Sequence, residues 1–112
     1  MSQVTTHILD TTKGKPAWGV TIILSEKVGN EWIEVSRGIT NKDGRINNLL
    51  NENELLPFGI YKMNFDTKNY FATMEIETFY PTVDIIFEIK TTDHYHIPLL
   101  LNPFGYSTYR GS

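Results

Sequence analysis

The sequence contains no cysteine. Disulfide bridges, a thiolate nucleophile and cysteine-ligated zinc are therefore excluded. Long apolar runs are also missing, and no stretch approaches the roughly 18 residues that a membrane-crossing helix needs. Lysine and arginine form no cluster longer than two residues, and the formal charge is −3 with the histidines neutral. A nucleic-acid backbone would want a basic patch, so no nucleic-acid partner is expected. No Gly-x-Ser-x-Gly elbow is present to present a serine nucleophile. Met1 to His7 shows no basic stretch followed by an apolar one, and Tyr109 to Ser112 is not a peroxisomal tripeptide. A soluble cytoplasmic protein with no membrane partner is expected.

What remains is the composition of a globular domain. The chain has 112 residues, 40% hydrophobic and 21% charged, which is too apolar for intrinsic disorder. This length suits one domain spanning residues 1–112. So small a domain leaves much apolar surface uncovered, which makes oligomerisation a natural expectation.

Strand signals dominate the chain. Val4 to Asp10 is rich in β-branched residues and stops at the breaker-rich Thr11 to Pro16. Trp18, Val20, Ile22 and Leu24 fall on one face at period 2. Val28 to Glu31 supplies a turn, Trp32 to Thr40 returns as a strand, and Asn41-Lys42-Asp43-Gly44 turns again. Asn51 to Pro57 suits a short helical turn or a loop. Gly59 to Thr67 then alternates, with Tyr61, Met63 and Phe65 inward. The best helix candidate is Asp66 to Met74, with a capping residue at its start and Tyr70 and Met74 one turn apart. Val83, Ile85, Phe87 and Ile89 mark another strand, and His94 to Leu101 and Tyr106 to Arg110 are the last two. Seven or eight short strands with at most one helix predict an antiparallel β-sandwich. Such a fold says nothing by itself about function.

Few residues are candidates for chemistry. His94 and His96 lie two apart, so on a strand they project to one face, while Tyr95, Ile97, Leu99 and Leu101 read as core. His96 then points out of the sandwich beside Pro98 and Leu100, on a surface suited to an interface or a site lining. A His-x-His pair also occurs in zinc sites, but no third ligand is specified. His7 on the first strand reads equally as a satisfied or exposed polar residue. Arg45 follows the Asp43-Gly44 turn, either as a solvated loop residue or as a fixed cation for a carbonyl or oxyanion. Residue types alone leave the activity open.

Three separated motifs narrow the choice. Asp93-His94-Tyr95-His96-Ile97-Pro98-Leu99-Leu100-Leu101-Asn102-Pro103-Phe104-Gly105-Tyr106-Ser107-Thr108-Tyr109-Arg110-Gly111-Ser112 resembles the C-terminal signature of the 5-hydroxyisourate hydrolases. Thr6-His7-Ile8-Leu9-Asp10 with Gly14-Lys15-Pro16-Ala17 resembles their opening motif, and Thr40 to Arg45 their central one. The departures are conservative: Ile97 for valine, Asn102 for serine and Phe104 for tyrosine. That family is homologous to transthyretin, which shares the fold but not the terminal Tyr-Arg-Gly-Ser. The resemblance implies a transthyretin-like (prealbumin-like) sandwich of two four-stranded sheets with one short helix. It also implies a homotetramer, assembled as a dimer of dimers with active sites at the dimer–dimer interface.

The substrate implied is 5-hydroxyisourate, a product of urate oxidation whose cyclic amide is hydrolysed. His7 and His96 are assigned to proton transfer and water positioning, and Arg45 to substrate oxygens and the developing oxyanion. Tyr109 and the terminal carboxylate of Ser112 are expected to complete the substrate-binding wall. No metal and no cofactor are expected. Two other classes stay open: a non-catalytic carrier of a small aromatic ligand, and a plain β-sandwich interaction module in which these side chains need not converge.

Overall fold

A computed structural model describes residues 2–112. Eight strands and one helix follow in the order β1 (Val4–Asp10), β2 (Lys15–Pro16), β3 (Thr21–Val28), β4 (Glu31–Ile39), β5 (Gly59–Phe65), α1 (Thr67–Ala72), β6 (Val83–Ile89), β7 (Tyr95–Asn102) and β8 (Gly105–Thr108). They form two four-stranded sheets, ordered β2-β1-β7-β8 and β4-β3-β5-β6. The expected sandwich is present, with one departure from antiparallel pairing. β1 and β7 run parallel, with Thr5 opposite His96 and His7 opposite Pro98. A parallel pair cannot close through a hairpin, and the whole second sheet intervenes in the chain between these two strands.

Alternation along β1, β3, β5 and β7 explains the core. Val4 and Ile8 of β1 and Leu99 of β7 share one apolar cluster with Ile22 and Leu24 of β3 and Tyr61, Met63 and Phe65 of β5. Each large side chain fully buried in this way contributes about 1.5–3 kcal/mol relative to exposure. Ile85 and Phe87 of β6 pack against the same cluster, as their spacing predicts. β4 is an edge strand with mostly exposed side chains. Its Trp32 lies under the Lys62 ammonium, 4.7 Å from the ring centroid. The pairing of β3 and β4 skips Val35 between Leu24 and Ser25, a bulge that lets Val35 pack on the core.

Trp18 departs from its expected place. It is 69% exposed, whereas Val20 is fully buried. Gly19 takes φ +89° and the strand begins only at Thr21, so the alternation that would pair Trp18 with Val20 does not start soon enough. Lys15 and Pro16, read as part of a turn, instead pair with Asp10 and Leu9 as a two-residue edge strand. Proline is tolerated there because an edge position needs no N–H. No helix forms over 51–57.

The helix is shorter than expected. Asp66 lies outside it as the N-cap, its carboxylate accepting from the Asn69 N–H at 3.4 Å. Tyr70 points into the sandwich and donates its hydroxyl to Oδ2 of Asp10 at 2.8 Å. Asp10 is 1% exposed, and its Oδ1 accepts from the N–H groups of Thr12 and Lys13. One carboxylate therefore ties the helix to the end of β1 and orders the turn that follows. Burial, and then the Asp10 carboxylate, push the Tyr70 phenol well above the ordinary tyrosine value. Tyr70→Phe is expected to destabilise the fold by about 1.5–3 kcal/mol, because a charged acceptor loses a buried partner. Denaturant unfolding of the two proteins measures this, and an unchanged midpoint would refute the role given to this bond.

Candidate active site

The outer face of the first sheet carries the candidate residues. Thr5 and His7 alternate outward from β1, and His96 outward from β7, each half-buried while the residues between them are buried. Arg45 joins them through a tight loop. Asn41 accepts at its side-chain oxygen from the N–H groups of Asp43 (2.9 Å) and Arg45 (3.1 Å). Its own N–H donates to the Arg45 carbonyl at 2.8 Å. The loop is pinned to β1 where the Ile8 N–H donates to the Gly44 carbonyl at 2.9 Å, which sets His7 and Arg45 opposite each other as an antiparallel bridge. Gly44 has φ +73°, and a Cβ there would run into the Ile8 carbonyl oxygen. Glycine is needed at that position both for its dihedral and for the close approach.

After β8 the chain returns along β7. The Gly111 N–H donates to the His96 carbonyl at 2.9 Å, and the two residues form an isolated bridge. A Cβ on Gly111 would lie 2.5 Å from Cδ2 of His96 and 3.3 Å from Cγ of Pro98. The glycine of the terminal motif thus lies flat against the imidazole and sets its place. Arg110 crosses to the other side, its guanidinium 4.5 Å from the Tyr95 ring centroid.

These segments enclose a polar pocket of about 330 Å³ whose walls include Thr5, Arg45, Asn47, His94, His96 and Ser112. His7 does not line it but acts on it electrically. Burial and then the Arg45 charge hold His7 below its ordinary value, with the Asp43 carbonyl and carboxylate pulling the other way. Burial lowers His96 too, followed by the charges of Arg45, His94 and His7. Both rings are therefore neutral at neutral pH, and a neutral imidazole can act as a base.

The structure gathers Arg45, His96 and Ser112 as the sequence suggests, with His7 adjoining. Tyr109 lies elsewhere. It is 60% exposed and lines a second, more apolar recess of about 280 Å³ with Ile85, Phe87 and Arg110. His96 borders both recesses. Two residues of the pocket that engage the His96 ring were not singled out for a role by sequence reasoning. The first is Thr5, whose position two before His7 on a strand was the available signal. The other is His94, which precedes β7 yet stacks on His96 with ring centroids 6.1 Å apart. No group of three or more histidine, aspartate or glutamate side chains is placed to hold a metal among the described residues.

Comparison with known proteins agrees with this arrangement of motifs. The model of the HIUase/Transthyretin family matches residues 4–111. The chain belongs to that family. Within it, the chain is 48% identical over 107 residues to the 5-hydroxyisourate hydrolase of Salmonella typhimurium, covering 95% of this chain and 78% of that one. It is 46% identical over 114 residues to the mouse (Mus musculus) 5-hydroxyisourate hydrolase, covering 99% and 96%. Among solved structures, Klebsiella pneumoniae 5-hydroxyisourate hydrolase superposes with a TM-score of 0.86 at 39% identity, covering 97% of this chain and 98% of that one. Sea bream transthyretin in complex with thyroxine gives 0.91 at 33% identity, covering 98% and 95%. Backbone shape does not separate a 5-hydroxyisourate hydrolase from a transthyretin in this family.

Two measurements check the site's construction. Removing the Arg45 charge makes protonation of a neighbouring imidazole easier, so Arg45→Gln is expected to raise the pKa of both His7 and His96. Both should lie below 6.5 in the unaltered protein. Histidine titration followed by NMR reads this directly, and unmoved titration curves would break the electrostatic link. Gly111→Ala is expected to shift the His96 ring resonances and cut activity about tenfold or more, because a misplaced catalytic group is costly. Unshifted resonances would show that the contact is loose.

Proposed function

We propose that the protein hydrolyses 5-hydroxyisourate, in urate degradation, by general-base attack of water with no covalent intermediate. The observation that carries the reading is the convergence of Arg45 and a neutral His96 on one polar pocket, in a chain 46–48% identical to proteins bearing that activity. Amide hydrolysis needs an activated water, a group for the tetrahedral oxyanion and a proton for the leaving nitrogen. His96 has Nδ1 engaged by Thr5 at 2.8 Å, which leaves Nε2 to take the proton from water. Arg45, braced by Asn41, offers paired N–H donors to the substrate oxygens and the developing oxyanion. His7, adjoining Arg45, helps to orient the water. Ser112 contributes to the wall of the pocket, and Tyr109 reaches the substrate only if the second recess opens towards it.

We further propose a homotetramer as the working form. A single chain leaves Trp18, Phe58, Phe79 and Phe104 each more than 60% exposed, which is apolar surface suited to closed symmetric association. The carrier reading is tested by the same assay, because a carrier binds without turnover.

Freshly generated 5-hydroxyisourate, corrected for its spontaneous decay, is expected to disappear faster with enzyme. Arg45→Lys should lose about a hundredfold in kcat, since a point ammonium cannot replace a planar fork at an oxyanion. Activity should survive dialysis against a strong chelator, with rescue by zinc as the contrary result. Light scattering should give about four times the 12.9 kDa chain mass. Absence of catalysed decay would end the hydrolase reading, and a fully active monomer would end the tetramer.

A further inference from the structure

The Thr5 hydroxyl stands between two imidazoles. Its Oγ1 is 2.7 Å from Nε2 of His94 and 2.8 Å from Nδ1 of His96. A hydroxyl has one hydrogen. With both rings neutral, Thr5 donates to one and accepts from the other, so the tautomer of one ring fixes that of the other. If His94 carries its proton on Nε2, His96 receives the threonine hydrogen at Nδ1 and presents an N–H from Nε2. If His96 carries its proton on Nδ1, Thr5 donates to His94 and Nε2 of His96 presents a lone pair. Only the second arrangement makes His96 a base.

We propose that Thr5 is a positioning residue that, with His94, sets the tautomer of His96 and draws off the proton His96 takes from water. This inference rests on the hydrolase reading for its kinetic consequence but not for the tautomer tie itself. In the first step a water O–H bond breaks and its proton binds Nε2 of His96. The water oxygen bonds to the amide carbon, and the carbonyl pair moves onto the oxygen facing Arg45. His96 now has two protons. Its Nδ1–H bond breaks as the Thr5 oxygen takes that proton, and the original Thr5 hydrogen passes to Nε2 of His94. His96 is left neutral with its proton on Nε2, and His94 holds the charge. When the tetrahedral intermediate collapses, the C–N bond breaks and the nitrogen takes the proton from Nε2. The wire runs back, with His94 returning a proton to Thr5 and Thr5 one to Nδ1 of His96.

Two features favour such a path. Surplus positive charge on His96 faces Arg45 and His7 as well as His94, so a route that removes it from His96 lowers the repulsion. His94 also borders a separate recess whose walls include Gln3, Glu54 and Thr92, so the relocated charge comes to lie beside an opening of its own. The stacking of the two rings, at 27° between planes, keeps both nitrogens on the threonine oxygen.

Imidazole 15N NMR on the intact, substrate-free protein tests the tie, at about pH 8, above the ordinary imidazole range. His94 should show its proton on Nδ1 and His96 also on Nδ1, each opposite in its relation to Thr5: one ring accepts and the other donates. In Thr5→Val the coupling is lost, and His96 should move towards the Nε2–H form that isolated histidine prefers. A wild-type His96 already in the Nε2–H form, or tautomers unchanged in Thr5→Val, would overturn the proposal without reference to activity. Kinetically, Thr5→Val should lose about tenfold or more in kcat with little change in KM, and Thr5→Ser should recover most of it. Rates in mixtures of light and heavy water should curve with deuterium content in the wild type and run straight in Thr5→Val. A straight line in the wild type would refute the relay. Tied tautomers in a protein with no turnover would instead sink the hydrolase reading and leave the tie standing.

Discussion

The site depends on one pairing, the parallel ladder between β1 and β7. It sets Thr5 opposite His96 across 91 residues of sequence. Closing so long a loop costs entropy that grows only slowly with length, but nothing returns that cost until the intervening second sheet covers the inner face of the ladder. Core and site are thus two faces of one structure. Val4, Ile8, Ile97 and Leu99 secure the register from within, and the same register places Thr5, His7 and His96 outside. A slip of one residue would exchange the two sets, driving imidazoles into the core and aliphatic side chains into solvent. The apolar core therefore enforces the register that the polar groups need.

Upon this ladder two short segments add what the sheet cannot supply. The 41–45 loop brings a cation, and the 109–112 segment brings a wall. Each is anchored by backbone hydrogen bonds, and each approaches so closely that a side chain is excluded, at Gly44 against the Ile8 carbonyl and at Gly111 against the His96 ring. The cation and the imidazoles are electrically opposed. Arg45 discourages protonation of His7 and His96, which suits groups that must begin a reaction unprotonated. The same repulsion would resist their holding a proton for long, and it gives the hydroxyl bridge to His94 its physical interest.

Much of the architecture could be read from residue pattern. Period-2 alternation located β5, β6 and β7 because each has one face in the core, β-branched content located β1, and both signals are local properties. It failed where local pattern was overruled. Trp18 continues an apolar alternation on paper, yet Gly19 turns the chain and leaves the indole in solvent. The two residues of β2 are too few to show any period and become a strand only because the end of β1 offers them partners. The outward face of β7 was legible as unusual, because His96 interrupts an apolar strand.

By itself, the sequence determined the class of fold, the family and the residue types available for chemistry, since hydrophobic period, turn chemistry and motif order are all carried along the chain. Tertiary structure decided which of those residues meet. Arg45 and His96 share a pocket, Tyr109 lies in a different recess, and Thr5 joins His94 to His96. The reason is that these contacts arise from a parallel pairing and from close backbone approaches between segments far apart in sequence. Such distances and directions come into being only when both sheets have closed on their common core.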